Sequence, residues 1–122
     1  MKYALISRPK FDETTTYLYI WASKIIAFLE RLNFRVIDLK DEKANKKNIE
    51  NALIKKNPLL VIFNGHGSPT EICGHNNEVL INLKNKEYLK SKIVKRTSAG
   101  EGFPALEEFS PIRIAVPPPE QH

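Results

Sequence analysis

The chain has 122 residues, a hydrophobic fraction of 42%, a charged fraction of 27% and a formal net charge of +5. A chain of this length can bury one core but not two, and the composition is that of a globular protein rather than a disordered one. No apolar run approaches the ~20 residues of a membrane span, and charges interrupt the N-terminus too early for a signal peptide. We therefore expect one cytoplasmic domain.

The excess of positive charge does not indicate a nucleic-acid surface. The lysines concentrate in segments 40–56 and 84–95, where acidic residues and asparagines lie between them, and no aromatic ladder accompanies them. We interpret these segments as solvated faces and expect neither a specific nucleic-acid partner nor a membrane. The single cysteine excludes an internal disulfide and agrees with a reducing compartment.

The first forty residues predict a strand, a helix and a second strand. Tyr3–Ser7 is a short apolar run typical of a buried strand, and Asp12 can cap the helix that follows. Asn33 suits the end of that helix, and Phe34–Leu39 predicts the second strand. Apolar residues recur every three or four positions between the two strands, which predicts one buried helical face. They are Leu18, Trp21, Ile25, Phe28, Leu29 and Leu32.

A second helix and a third strand follow. Segment 43–56 places its apolar residues on one helical face, and Asn57-Pro58 predicts its end because proline disfavours helical geometry in the preceding residue. Leu59–Phe63 is apolar on both faces, as a central strand of a covered parallel sheet should be. The order strand-helix-strand-helix-strand predicts an α/β fold, a three-layer sandwich with a mainly parallel sheet.

Beyond the third strand the pattern becomes less regular. Glu71–Gly74 and Val79–Leu83 predict a small β-hairpin around His75–Asn77. A short helix is expected near residues 87–92, and a brief strand at Ile93-Val94. Glycines and prolines dominate after Arg96, so we divide the chain into an α/β half-domain, residues 1–95, and an irregular or disordered tail, residues 96–122.

The candidate site is the segment Asn64–Ser68, which follows the third strand. In open parallel sheets, ligands and reacting groups gather at the carboxyl ends of the strands. Gly65 and Gly67 let the backbone turn sharply and bring a main-chain N–H close to a substrate, while His66 can transfer a proton near neutral pH. This pattern suits acyl-transfer chemistry, and a loop histidine without a chemical role is the alternative.

An apolar strand that runs into Gly-His-Gly, followed by Ile72-x-Gly74-x-x-Asn77-Glu78-x-Leu80-Ile81, resembles the caspase-like cysteine peptidases. This group includes caspases, clostripain, gingipains and CHAT-type proteases, and the resemblance covers about residues 2–94. It implies a caspase-like fold, a peptide or protein substrate, and peptide-bond hydrolysis by a cysteine–histidine dyad. His66 would be the general acid and base, and the N–H of Gly67 would stabilise the oxyanion.

The chain departs from that family at the nucleophile. The resemblance places the cysteine in segment 92–99, which has none, and the hydroxyls of Thr97 and Ser98 are far weaker nucleophiles than a thiolate. Cys73 lies in the predicted hairpin, where we interpret it as a small core residue.

Two hypotheses follow from the missing cysteine. In the first, the chain is the histidine-bearing half of a caspase-like endopeptidase, cut short by truncation or a frameshift and inactive alone. Half a sheet would leave an exposed edge through which chains could associate. In the second, the chain is a non-catalytic α/β module that binds a peptide or a partner at the same loop edge.

Metal and phosphate chemistry receive less support from the sequence. His66, Cys73 and His75 could ligate a metal, but a structural zinc site needs a fourth ligand, so we expect no metal and no cofactor. A receiver-type module needs an acidic cluster where Ser7-Arg8 and Asn64-Gly65 stand. A phosphate-binding loop needs glycines after the first strand, where none occur.

Overall fold

The computed structural model describes residues 2–68, 70–99 and 104–108, the last of these and residues 97–99 through their backbone only. Ten regular elements follow one another along this part of the chain. They are β1 (Lys2–Arg8), α1 (Glu13–Arg31), β2 (Phe34–Lys40), α2 (Lys46–Lys56), β3 (Leu60–Asn64), β4 (Gly67–Ser68), β5 (Glu71–Cys73), β6 (Val79–Ile81), β7 (Ile93–Ala99) and β8 (Pro104–Glu108).

The main sheet has five strands in the order β2-β1-β3-β7-β8. Four of them, β2, β1, β3 and β7, are parallel, and β8 pairs antiparallel with β7. The predicted α/β class and the order strand-helix-strand-helix-strand are therefore confirmed. The first strand lies inside the sheet, between β2 and β3, and its residues from Ala4 to Arg8 are all buried.

Helix α1 begins at a side-chain cap and ends at a left-handed residue. Asp12 accepts a hydrogen bond from the backbone N–H of Thr15, and the Thr15 hydroxyl accepts one from the backbone N–H of Asp12, which forms a capping box. At the other end Asn33 has a φ of 69°, a conformation that asparagine tolerates better than most residues. Both predicted ends of this helix are confirmed.

Helix α2 uses asparagine at both ends. The side chain of Asn45 accepts a hydrogen bond from the backbone N–H of Asn48, and Asn57 ends the helix with a φ of 47°. Pro58 follows, so the chain cannot continue as a helix. This short, lysine-rich helix depends on its buried face, formed by Ile49, Ala52 and Leu53, because a helix of this length is marginal alone.

The core consists of two apolar clusters, one on each face of the sheet. Alternate residues of one strand belong to different clusters: Val61 packs with the residues of α2, and Ile62 packs with Leu29 of α1. The alternation follows from the two-residue period of a strand. The α2-side cluster is the larger one and includes Phe63, Leu80 and Leu89.

A second, smaller sheet contains the predicted hairpin. Strands β5 and β6 are antiparallel, and a 3-10 turn at His75–Asn77 joins them, with Asn76 and Asn77 at positive φ. The hairpin is thus confirmed. Strand β4, which pairs antiparallel with β5, was not predicted, and it makes the sheet three-stranded.

The expectation that regular structure ends near Val94 was wrong. Strand β7 continues to Ala99 in register with β3, and residues 104–108, which we had assigned to the irregular tail, form β8. Polar residues in β7 suggested an early end, but pairing with β3 on one side and β8 on the other satisfies its backbone. Residues 100–103 and 109–122 of the expected tail lie outside the described residues, and the helix expected near residues 87–92 is a 3-10 turn at Lys86–Leu89.

Strand β2 closes one end of the sheet. Its seven residues are all at least partly exposed, in contrast to β1 beside it. Whether chains associate through a sheet edge remains a prediction. Among the described residues, no helix has both the length and the apolar character that a membrane span requires.

Candidate functional site

Two loops meet at the carboxyl edge of the sheet, because β1 and β3 are parallel neighbours. The loop after β1 carries Phe11 and Asp12, and the loop after β3 carries His66. Side chains from both loops are in contact, although 54 positions separate Asp12 from His66 in the sequence. The structure therefore places His66 at the edge where the sequence predicted a site.

His66 forms a close pair with Asp12. Its Nε2 atom lies 2.7 Å from Oδ2 of the carboxylate, and the two side chains are 38% and 40% exposed. The other carboxylate oxygen, Oδ1, accepts hydrogen bonds from the backbone N–H and the hydroxyl of Thr15, each at 2.8 Å. The helix cap fixes one oxygen of Asp12 and leaves the second one directed at the imidazole.

The electrostatics of Asp12 favour its charged form. Desolvation by burial would raise its pKa, but the hydrogen bonds from the Thr15 backbone, His66 and the Thr15 hydroxyl outweigh burial and lower the pKa. An ionised carboxylate only accepts hydrogen bonds, so Nε2 of His66 must carry the proton between them. In a neutral ring the lone pair is then on Nδ1, which is the nitrogen available as a base.

Both glycines beside His66 are required by geometry. Gly65 has a φ of 145°, and a Cβ there would lie 3.1 Å from the carbonyl oxygen of Cys73. A Cβ on Gly67 would lie 2.5 Å from the carbonyl oxygen of Glu71, closer than real Cβ atoms approach. The two glycines thus let the chain turn from β3 into β4 and hold it against β5.

The backbone N–H of Gly67 is directed away from β5. The N–H of Cys73 donates to the carbonyl of His66 at 2.9 Å, and Gly67 stands opposite Ile72 in the next pair of the ladder. Opposite pairs alternate between hydrogen-bonded and non-hydrogen-bonded in an antiparallel ladder. Gly67 is in the second kind of pair, so its N–H faces out of the small sheet.

Buried polar groups anchor the strand that leads to His66. The side-chain nitrogen of Asn64 donates to the carbonyl oxygen of Ser7 at 3.1 Å, joining the ends of β3 and β1. The side-chain oxygens of Asn64 and Ser7 are buried and accept no hydrogen bond from the described residues. Asn64 therefore holds the start of the His66 loop at a fixed point on the sheet.

Phe11 lies between the two internal histidines. Its ring makes edge-on contacts with His66 and with His75, at centroid separations of 5.9 and 5.6 Å. His75 belongs to the hairpin turn, and its Nδ1 atom is 3.7 Å from Oδ1 of Asp41, too far for a hydrogen bond. As the sequence indicated, His75 is a turn residue.

Cys73 is a half-buried residue of β5 with a poorly activated thiol. Burial raises its pKa, and the neighbouring carboxylate of Glu71 raises it further. A raised pKa keeps the thiol protonated at neutral pH, and the thiolate is the nucleophilic form. Its surroundings thus favour a packing role over a catalytic one.

The backbone places Ser98 close to the level of His66. Asn64 of β3 stands opposite Thr97 of β7, so the next residue, Ser98, continues the strand alongside the Gly65–His66 loop. This is the edge at which the family resemblance requires a cysteine. That the nucleophile of a caspase-like enzyme belongs in this segment stays a prediction.

A metal centre receives no support from the described residues. In residues 2–68, 70–99 and 104–108, no three histidine, cysteine, aspartate or glutamate side chains are grouped as ligands. His66, Cys73 and His75 are near in sequence but lie in three different local environments.

Sequence reasoning missed the role of Asp12 as the partner of His66. It identified Asp12 only as a helix cap. A signal existed, because a cap uses one carboxylate oxygen and the loops after two adjacent parallel strands share one edge of the sheet.

No protein-family model matches this chain, and neither the curated proteins nor the solved structures contain a match.

Proposed function

We propose that this chain is the histidine-bearing half of a caspase-like cysteine endopeptidase, and that it does not hydrolyse peptides by itself. The pair of Asp12 and His66 at the carboxyl edge of a parallel sheet carries this proposal. Gly67 adds a backbone donor one residue further along. A peptide or protein is the expected substrate, and no cofactor is required.

In this proposal each group of the edge has one task. Asp12 holds the imidazole of His66 and stabilises its protonated form, so that Nδ1 can remove a proton from a nucleophile and return it to the leaving amine. The N–H of Gly67 donates to the oxygen on which negative charge develops. The missing part is a thiol, because Cys73 has a raised pKa and lies within β5.

A designed thiol tests the proposal. In a Cys73→Ser background, Ser98→Cys introduces a thiol at the backbone level of His66, and Asn51→Cys introduces one on the exposed surface of α2 as the control. We expect iodoacetamide to alkylate the first thiol faster than the second at pH 6.5. An imidazole base lowers the pKa of a nearby thiol below its usual value of about 8.5.

Two further variants decide what causes the acceleration. His66→Gln should return the reaction of Ser98→Cys to the rate of the Asn51→Cys control, and Asp12→Asn should reduce it partly. Equal alkylation rates with and without His66 would contradict the proposed acid–base role.

A non-catalytic module that binds a peptide or a partner at the same edge is the second candidate. The raised pKa of the only cysteine favours it. Both candidates predict that the unmodified chain does not hydrolyse peptides. Fluorescence assays with peptidyl-Arg, peptidyl-Lys and peptidyl-Asp coumarin amides test this. Turnover by the unmodified chain that is lost in His66→Ala and kept in Cys73→Ala would contradict both and indicate a hydroxyl nucleophile.

A further inference from the structure

The solvent-facing side of α1 carries a regular row of exposed residues. Six positions recur at alternating intervals of four and three residues, the spacing of a coiled-coil seam, and all six side chains are exposed. They are Glu13, Tyr17, Ile20, Lys24, Ala27 and Arg31. At about 100° per residue, this row lies opposite the face that packs on the sheet.

The most exposed apolar side chains of α1 lie on the side of the helix away from its buried face. The buried residues of α1 are Thr15, Leu18, Ala22 and Leu29, on the other side of the helix. Ile20 remains 61% exposed. Phe28, which flanks the row, is 53% exposed, so the expectation that it belongs to the buried face was wrong. Tyr17 and Ile20 are neighbours on this face, and adjacent exposed apolar side chains are typical of an interaction surface.

An open groove lies beside the N-terminal half of the row. Its volume is about 610 Å³, and Phe11, Tyr17 and Ile20 form its apolar part. The carboxylates of Asp12 and Glu13 line the same groove. A partner that fits here should offer a large apolar side chain with a cation close to it.

We propose that this partner is a second copy of the chain, with the two α1 helices packed antiparallel about a two-fold axis. In one register Glu13 lies opposite the partner's Arg31, Tyr17 opposite the partner's Ala27, and Ile20 opposite the partner's Lys24. The two numbers of each pair have the same sum, so one two-fold axis generates all of them.

Charge and size are both complementary in this arrangement. The row is acidic at its first position and basic at its last, so an antiparallel copy pairs opposite charges at both ends. Each large side chain meets a small or flexible one. The partner's Phe28 and Arg31 approach the groove beside Tyr17 and Glu13 and supply the apolar group and the cation that the groove requires.

Sedimentation velocity of the full chain over a range of concentrations tests this arrangement. We expect a reversible dimer, and we expect Phe28→Glu to weaken it at least about tenfold because the charge would face the apolar groove. Ile54→Glu, at an exposed apolar position on α2, is the matched control and should leave the dimer unchanged. Circular dichroism melting shows whether each variant is folded.

A charge exchange tests the register. Glu13→Arg and Arg31→Glu should each weaken the dimer, and the double variant Glu13→Arg/Arg31→Glu should restore it, because the exchanged charges again face each other. A monomer at every concentration would overturn the proposal. So would a dimer that tolerates Phe28→Glu, or single charge variants that the double variant does not rescue. None of these outcomes depends on peptide hydrolysis, so they leave the proposed function untouched.

Discussion

The two internal histidines have similar neighbours but differ in their hydrogen bonding to aspartate. Both pack edge-on against Phe11, and each has an aspartate nearby. His66 makes a 2.7 Å hydrogen bond to Asp12, whereas Nδ1 of His75 lies 3.7 Å from Oδ1 of Asp41. This Nδ1 atom is buried and forms no hydrogen bond with any of the described residues.

The difference between the histidines originates in their carboxylates. A capping box fixes Asp12 at the start of a 19-residue helix, so its free oxygen has a defined direction. Asp41 is exposed in a short 3-10 turn at a φ of 58°, and no side-chain cap holds that turn. A histidine–carboxylate pair therefore depends on what orients the carboxylate, and nearness in sequence is not sufficient.

The largest expected effect comes from Gly74, the glycine directly before His75. A Cβ at Gly74 would collide with the carbonyl oxygen of Ala44 and with the core residue Leu80. We expect Gly74→Ala to lower the free energy of unfolding by about 3 kcal/mol, measured by urea denaturation. Asn77→Gly, in the same turn and at positive φ, is the control and should change it little.

An equivalent glycine-to-alanine substitution can be made beside His66. Gly67→Ala also forces a collision, with the carbonyl oxygen of Glu71, but in a small sheet at the edge of the fold. We expect a smaller loss of stability than for Gly74→Ala. A larger loss would mean that the His66 loop is structurally more important than its position suggests.

Removal of the aspartates should separate the two histidine regions. Asp12→Ala removes the helix cap and the contact with His66, which we expect to cost about 1–2 kcal/mol of stability. Asp12→Asn keeps a cap oxygen and should cost less. Asp41→Asn should have almost no effect, and a loss equal to that of Asp12→Ala would contradict the distinction between the pairs. Chemical denaturation measures all three.

Phe11 is the residue that the two histidine regions share. We expect Phe11→Leu to keep most of the apolar contact but lose both edge-on ring contacts, at a cost of roughly 0.5–1 kcal/mol. Tyr88→Leu, in the 3-10 turn at Lys86–Leu89, gives a matched loss of an exposed aromatic ring. Thermal melting of both variants would show whether the ring between the histidines matters more than another exposed ring.

The smallest expected effect is the dependence of stability on pH at Asp12. Its pKa is lowered in the folded chain, so its contribution is present above the pKa of an unfolded aspartate, about 3.9, and is lost as pH falls through the folded value. Stability of the unmodified chain should therefore fall more below pH 4 than that of Asp12→Asn. Identical pH profiles would show that Asp12 gains nothing from Thr15 and His66.

The sequence was most informative where local rules decide the structure. Helix α1 begins after Asp12 and ends before Asn33, and α2 ends at Asn57, as capping rules predicted. The start of α2 was predicted three residues too early, at Lys43, because the cap at Asn45 was not recognised.

The sequence was least informative for β7, whose polar residues suggested an end after Val94. In the structure the guanidinium of Arg96 donates to the carbonyl of Ser68 at 2.6 Å, which gives a half-buried arginine a partner that no local pattern reveals.

The pair of Asp12 and His66 could not be predicted from spacing alone. The contact exists because β1 and β3 are neighbours, whereas β2 separates them in the sequence. Strand order thus determines which loops meet, and strand order is a property of the complete sheet. The acyl-transfer hypothesis was based on the Gly65–Gly67 turn, which supplies only one of the two residues in this contact.

The position of β1 between two other strands has a consequence for biosynthesis. Its neighbours in the sheet are β2, which ends at Lys40, and β3, which ends at Asn64. Strand β1 therefore leaves the ribosome more than fifty residues before both of its edges can be paired. Until then an apolar segment with open edges is available to other nascent chains. We therefore expect this strand order to favour misassembly during synthesis.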